Sequence, residues 1–388
     1  MPYLDHAATT PLREEALEAM LPYLREHHGN PSSLHAAGRR ARVAVERARG
    51  LVAGVLGCEP AEVVFTSGGT EADNLALRGV LTGAARRETG RGGLVTLATE
   101  HKAVLDMAAA LAAEGHAVAV LGPDGAGRLA PGAVADVLTD ETGLVSAMLV
   151  NNETGAVNPV AEIARIARAG GAAMHTDAVQ AAGLLPLDVG GLGVDLLSLS
   201  GHKVGGPKGV GALYVRAGTP FAPAQTGGAQ ERGRRGGTEN VAAVIGFAEA
   251  LALAEAERAD HAARLAALRD RLRERVVAAL PDARVNTPGG AAPHVLSVSF
   301  PPRPGGAGPL DGEMLLMALD LEGVAASAGS ACTSGALEPS HVLLALGLDR
   351  DTAAATVRFS LGRGTTEADV DDAAAALARV VGRMRGVE

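Results

Sequence analysis

Five stretches of this chain carry groups able to do covalent and proton-transfer chemistry, and each follows a short apolar run. Ser200, Gly201, His202 and Lys203 follow residues 195–199, and Asp177 and Gln180 follow 172–176. Asn151, Asn152, Glu153 and Thr154 come after 144–150, and Thr99, Glu100 and His101 after 94–98. Ser67, Gly68, Gly69, Thr70 and Glu71 come after 63–66 and lead into a helical pattern. A glycine turn that opens a helix frees backbone N–H groups for an anion, although a helix cap by Ser67 or Thr70 accounts for the same letters. No lysine and hydroxyl pair follows the glycines, so the spacing is not that of a nucleotide P-loop. Singly, each stretch also has a plain structural reading: a hydrogen-bonded histidine, a closed turn, a surface lysine. Together they supply what pyridoxal phosphate needs: an amine for its aldehyde, a carboxylate to keep its pyridine nitrogen protonated, and donors for its phosphate.

Such groups must be brought together by the elements before them. Apolar runs at 63–66, 94–98, 117–121, 144–150, 172–176, 195–199 and 210–215 alternate with helical patterns such as 71–81, 102–114 and 160–169. That alternation predicts an α/β fold with a mainly parallel sheet covered by helices, whose ligands gather at the carboxyl ends of the strands. A long helix follows, with Val241, Val244, Ile245, Ala248, Leu251 and Ala252 on one face and a second series at Leu265, Leu268, Leu272 and Val276; Pro281 ends it. The last hundred or so residues read as a smaller α+β unit, with a strand at 295–300, a Pro/Gly-rich surface loop at 301–309, a helix from Gly312 and a closing amphipathic helix from Glu367. The expected division is an N-terminal segment 1–13 packing with the small unit, a large domain 14–280 and a small domain 281–388.

The chain has 388 residues, a net charge of −9, 47% apolar residues, two cysteines, no tryptophan, three tyrosines and five phenylalanines. This composition is globular and excludes a disulfide-stapled scaffold. The acidic balance and scarce aromatics argue against nucleic acid held by bulk charge or by stacking. No apolar run is long enough to cross a bilayer and residues 1–6 do not start a signal peptide, so a cytoplasmic location is expected. Cys58 and Cys332 cannot build a zinc site alone, and no metal is expected. Arg39, Arg40, Arg42, Arg47 and Arg49 read as a solvated helix face; Arg232, Arg234 and Arg235 are a second cluster open to an anion or a partner.

The strings YLDHAATTP (3–11), GNPSS (29–33), SGGTEADN (67–74), EHKAVLD (100–106), NNETG (151–155), HTDAVQ (175–180), SGHK (200–203), RGGTENV (235–241), SAGSACTS (327–334) and RFSLGR (358–363) resemble, in this order, the pyridoxal-phosphate cysteine desulfurases. The resemblance implies the aspartate-aminotransferase type of fold in its class V branch, a homodimer, and conversion of L-cysteine to L-alanine. Lys203 would then hold the cofactor, Asp177 its pyridine nitrogen and Gln180 its ring hydroxyl, with His101 stacked on the ring and moving protons. Gly69, Thr70, Ser200 and His202 would cradle the phosphate, joined by Thr238 from the other subunit. Asn152 and Arg358 would fix the substrate carboxylate, with Asn30 and the backbone near Ala7 lining its pocket. Cys332 would take the sulfur as a persulfide and pass it to an iron-sulfur scaffold, a transfer RNA thiolase or a DNA-sulfur partner. Its surroundings match the long-loop group of that family, with Ala328 standing where a second serine is common.

Overall fold

The computed structural model describes residues 2–303, 308–329 and 338–386. The expected nucleophile Cys332 and the middle of the Pro/Gly-rich loop lie outside the described residues.

Seven strands, β1 (Val63–Thr66), β2 (Gly93–Leu97), β3 (Val118–Leu121), β4 (Thr142–Ser146), β5 (Ala173–Asp177), β6 (Leu196–Ser200) and β7 (Gly211–Val215), form one sheet in the order β1-β7-β6-β5-β4-β2-β3. The ladder from β6 to β3 is parallel, whereas β7 runs antiparallel to both β6 and β1. The expectation of a mainly parallel sheet holds, and β7 is the reversed strand. The short stretch 201–210 between β6 and β7 cannot make the crossover that a parallel neighbour requires.

Most of these strands are buried on both faces, which is why they read as unbroken apolar runs. Val64, Leu94, Leu144, Leu196 and Leu213 meet helices Gly69–Leu81 and Lys102–Ala113 on one face. Their neighbours Val63, Phe65, Val95, Val145 and Leu197 face the opposite core, shared with helices Ala36–Leu56 and Val160–Ala169.

The antiparallel strands β8 (Arg284–Val285), β9 (Val295–Ser299) and β10 (Thr356–Ser360) build a second sheet. It is packed by helices Gly312–Leu321 and Glu367–Met384. The two apolar series expected on the long helix belong to one helix, Val241–Ala279, of 39 residues and about 58 Å. Phe247, Ala248 and Leu251 enter the large core, and Leu265, Leu268, Leu272 and Val276 the small one. The N-terminal segment closes on the same small core through Leu4, with bridges from Tyr3 to Ala325 and from Asp5 to Ser360.

Candidate active site

Four parallel strands end at one side of the large sheet, and the groups that follow them converge there. Lys203 sits on the 3-10 turn Gly201–Lys203 that leaves β6. Its Nζ donates to the carbonyls of Ala7 (2.5 Å) and Ala8 (2.7 Å). Burial, and then the charge of Arg358, lowers its pKa to about 8 against the opposing charges of Asp177 and Asp5. Asp177 ends β5, is buried, and accepts from the Val179 N–H at 2.9 Å. Its carboxyl is raised by desolvation and pulled back by the charges of His101 and Lys203. Gln180 donates to the Ala7 carbonyl at 2.9 Å, so this side chain and Lys203 grip the same N-terminal backbone.

The glycine turn has the free donors that an anion cradle needs. Helix Gly69–Leu81 begins at Gly68 without any side-chain cap, so neither Ser67 nor Thr70 fills that role. Its first backbone bond runs from Ala72 to Gly68, leaving the N–H groups of Gly69 and Thr70 without acceptors among the described residues. A Cβ at Gly69 would fall 2.9 Å from Val179 Cγ2 and 3.5 Å from Ser200 Cβ. Ala8, Thr9, Gly69, Thr70, Ser200 and His202 line an open pocket of about 370 Å³ here. Glu71 holds the turn from outside: it accepts from the Ser67 N–H and from Arg235 Nε, both at 2.8 Å. Arg235 is therefore engaged within its own chain.

His101 caps helix Lys102–Ala113, its Nδ1 accepting from the Ala103 N–H at 3.1 Å. That bond leaves the proton of the neutral ring on Nε2. Burial lowers the pKa of this imidazole. On the far side, Arg358 on β10 is buried and already doubly bound: Nη2 pairs with Asp5 at 2.8 Å and Nη1 donates to the Asn152 carbonyl at 2.9 Å. Its buried Nε has no acceptor among the described residues. Arg358, expected to fix a substrate carboxylate together with Asn152, is thus already paired with Asp5. Asn30 and Thr238 are exposed, and neither hydrogen-bonds another candidate residue among those described.

The whole-chain comparisons agree with this arrangement. The class-V aminotransferase family model matches residues 2–372. A cysteine desulfurase IscS from Anaeromyxobacter sp. (strain Fw109-5) is 48% identical over 390 residues, covering 99% of this chain and 93% of that relative. The chain belongs to the class-V aminotransferases, among the cysteine desulfurases. A solved NifS-like protein superimposes with a TM-score of 0.89 at 36% identity, covering 98% of this chain and 99% of that one. Another, SspA in complex with cysteine, gives 0.80 at 34% identity over 93% and 99%.

Class-V enzymes depend on pyridoxal phosphate, and the residues of this desulfurase fit it. An amine with a pKa of about 8, a buried carboxyl at the next strand end and two free N–H groups in a cradle too tight for a Cβ form a matched donor set. Beneath them lies a layer that sequence reasoning passed over as a source of buried acids. Asp73, from the helix Gly69–Leu81, is buried and its carboxyl is raised well above the usual range by desolvation and by Asp177. His175 lies beside it, Nε2 to Asp73 Oδ1 at 3.6 Å, and bonds Ser146 (2.9 Å) and Ser198 (3.0 Å); burial pushes its pKa down to about 3. Glu100 is buried, accepts from the Met148 N–H at 2.6 Å, and is raised to about 8 by burial and then by Asp177. The only signal in the letters was that Glu100 stands close after a strand end.

Arg49, expected on a solvated face, is 2% exposed and paired with the buried Glu231 at 2.7 Å. Glu231 and Arg232 are the non-glycine residues with positive φ among those described, at 47° and 56°. The pair pins the segment before the long helix to β1, where Glu231 also accepts from the Phe65 N–H at 2.9 Å. Cys58 is half-buried against the large core, and burial raises its thiol to about 12, which suits packing and not chemistry. Among the described residues no helix is long and apolar enough to cross a membrane.

Proposed function

We propose that the protein removes sulfur from L-cysteine, releasing L-alanine and carrying the sulfur as a persulfide on Cys332. One observation carries this reading: the stretches of chain before and after residues 330–337, which include Cys332, are both tied to the site that holds Lys203 and Arg358. Ser327 exchanges main-chain bonds with Arg358 (3.2 and 2.6 Å), and His341 Nε2 reaches the Glu100 carbonyl at 3.0 Å. The reaction balances without an external oxidant. The Cβ–S bond of the substrate breaks, an S–S bond forms at Cys332, the two sulfurs are oxidised, and Cβ is reduced and gains a proton.

When bound, pyridoxal phosphate supplies the electron sink for that bond cleavage. Lys203 has a pKa near enough to neutrality to lose and regain a proton, and so moves the α-hydrogen. Asp177 places its carboxyl where the pyridine nitrogen of the cofactor would sit, and Arg358 with Asn152 orients the substrate carboxylate. His101 offers the proton on Nε2, because Nδ1 is held by Ala103. Cys332 attacks as thiolate.

Cys332→Ala is expected to keep the yellow cofactor and form no alanine from cysteine; normal turnover would refute the nucleophile. Lys203→Ala is expected to lose the borohydride-reducible bond to the cofactor, and its survival would point to another amine such as Lys208. The persulfide acceptor we propose is an iron-sulfur scaffold or a transfer RNA thiolase in the cytoplasm. A non-reducing pulldown after cysteine treatment identifies it. The working unit we propose is a homodimer, in which Thr238 joins the partner's phosphate cradle and Asn30 the substrate pocket.

A further inference from the structure

The arginine cluster that the sequence left open to an anion or a partner is engaged within the chain. Arg232 Nη2 pairs with Glu46 at 3.1 Å, and Arg234 Nη1 donates to the Ala61 carbonyl at 3.2 Å. Arg235 reaches the wall of the cradle, where its Nε and Nη2 meet the two carboxylate oxygens of Glu71 at 2.8 and 3.2 Å. The pair spans 164 positions of sequence, and its side chains are only 19% and 21% exposed.

Glu71 is an odd neighbour for an anion. It stands in the first turn of helix Gly69–Leu81 and lines the pocket of about 370 Å³ together with Gly69, Thr70 and Ser200. Burial works to raise its carboxyl, but the bonds from Arg235 and Ser67 outweigh burial and hold it below the ordinary value, so it is ionised near neutral pH. Lys208 lines the same pocket with the opposite charge, and burial lowers the His202 imidazole to about 4, which leaves it neutral. A carboxylate beside a phosphate repels it, and in a partly desolvated pocket the repulsion exceeds that in water. Yet the turn needs Glu71, because its Oε2 accepts the Ser67 N–H at 2.8 Å. Arg235 resolves the conflict by neutralising the charge. The bend that presents it is fixed by its own backbone: the Gly236 N–H donates to the Gln225 carbonyl at 3.0 Å, the Gly236 carbonyl accepts from Gln225 Nε2 at 2.7 Å, and the Gly237 N–H donates to Gln230 Oε1 at 3.1 Å.

We propose that Arg235 is a positioning residue for the phosphate of the cofactor: it neutralises Glu71, so that this carboxylate shapes the glycine turn through Ser67 without repelling the phosphate the turn receives. The inference rests on the proposed seat of that phosphate at Gly69 and Thr70.

The test uses full-length protein, freed of cofactor and titrated back, as wild type, Glu71→Gln, Arg235→Ala and the double variant Glu71→Gln/Arg235→Ala. Three readings are taken: affinity for pyridoxal phosphate, affinity for pyridoxal, which lacks the phosphate, and the rise in melting temperature of the cofactor-free protein with inorganic phosphate. Arg235→Ala is expected to weaken pyridoxal phosphate binding about 10-fold or more, to move pyridoxal binding less than about 3-fold, and to shrink the response to inorganic phosphate. Adding Glu71→Gln removes the repelling charge and keeps an oxygen for Ser67, so the double variant is expected to return to within about 3-fold of wild type. Glu71→Gln alone is expected to bind pyridoxal phosphate at least as tightly as wild type. A pair that served the fold alone would give the opposite order, since losing the second partner restores nothing. The proposal is overturned if the double variant binds no better than Arg235→Ala, if pyridoxal and pyridoxal phosphate lose affinity equally, or if Arg235→Ala stays within about 3-fold of wild type. Should Arg235→Ala not fold, Arg235→Gln, which still donates to Glu71 but carries no charge, takes its place under the same criteria. Cofactor affinity unaffected by Gly69→Ala would instead remove the phosphate from this turn, and the proposal with it.

Discussion

Glu100 shows how one buried residue shapes the chemistry of its neighbours. Its side chain accepts a single bond from Met148, and its second oxygen is buried without a partner among the described residues. Burial, then the charge of Asp177, raises its pKa to about 8, so near neutrality Glu100 holds its proton. That choice has a sign that can be measured. Between the ordinary carboxyl value of 4.5 and about 8 the folded state holds a proton that the unfolded chain has lost. Stability contributed by this group is therefore present at pH 4.5 and is lost as pH rises through 8. Glu100→Gln keeps the oxygen for Met148 and removes the titration. Its melting temperature is expected to match that of wild type near pH 5 and to exceed it increasingly toward pH 9, by up to a few kcal/mol of unfolding free energy. A difference that is flat with pH, or that grows on acidification, would show that Glu100 is ionised in the fold. Lys203 titrates in the same region but is unchanged in both proteins, so it cancels in the difference.

The helix Gly69–Leu81 does at the scale of an element what Lys203 and Glu100 do as residues. It starts without a side-chain cap, points its free N–H groups at the pocket, and carries Asp73 on its buried side. Gly69→Ala drives a methyl group to 2.9 Å from Val179, whose branched side chain has little freedom to turn away. We expect that variant to fold with a near-normal melting temperature while losing cofactor about 10-fold or more faster on gel filtration, read by absorbance; unchanged retention would place the phosphate elsewhere. The turn was legible in the sequence as glycines at a strand-to-helix junction. Whether a side chain capped it was not, because Ser67 and Thr70 have the same letters whether they bond the helix or face a ligand. Strands β1, β2, β5 and β6 were legible as apolar runs ending in polar groups, and so were Lys203 and Asp177. The reversal of β7 was hidden, since a strand buried on both faces shows no direction in its residues. Arg49, Asp73 and Glu153 were hidden for a related reason: their partners lie 182, 102 and 187 positions away at Glu231, His175 and Ser340, and only the fold brings them together.

At the scale of the whole molecule, the homodimer proposed above would let one chain complete the other's site. The long helix Val241–Ala279 joins the large core to the small one, and the segment just before it is clamped by Arg49–Glu231 and Arg235–Glu71. Thr238 emerges beyond those clamps, exposed. Leu24 on helix Glu14–Arg25, Leu34 in the bend before helix Ala36–Leu56, and Val43 on that helix are also exposed, at 60%, 83% and 69%. Apolar side chains left open in this way suit a second copy of the chain as their cover. If Thr238 serves the partner's cradle, two damaged chains must repair each other. A Lys203→Ala chain has no amine but a sound Thr238, and a Thr238→Ala chain has the amine but no threonine. In a mixed dimer the site built on the second chain's Lys203 receives the first chain's Thr238 and is whole. Coexpression with separate affinity tags isolates that mixed dimer. At limiting pyridoxal phosphate it is expected to bind cofactor at one site with wild-type affinity and to form alanine at about half the wild-type rate per dimer. Were Thr238 to act within its own chain, neither site of the mixed dimer would be intact, and its surviving site would bind cofactor as weakly as the Thr238→Ala homodimer does.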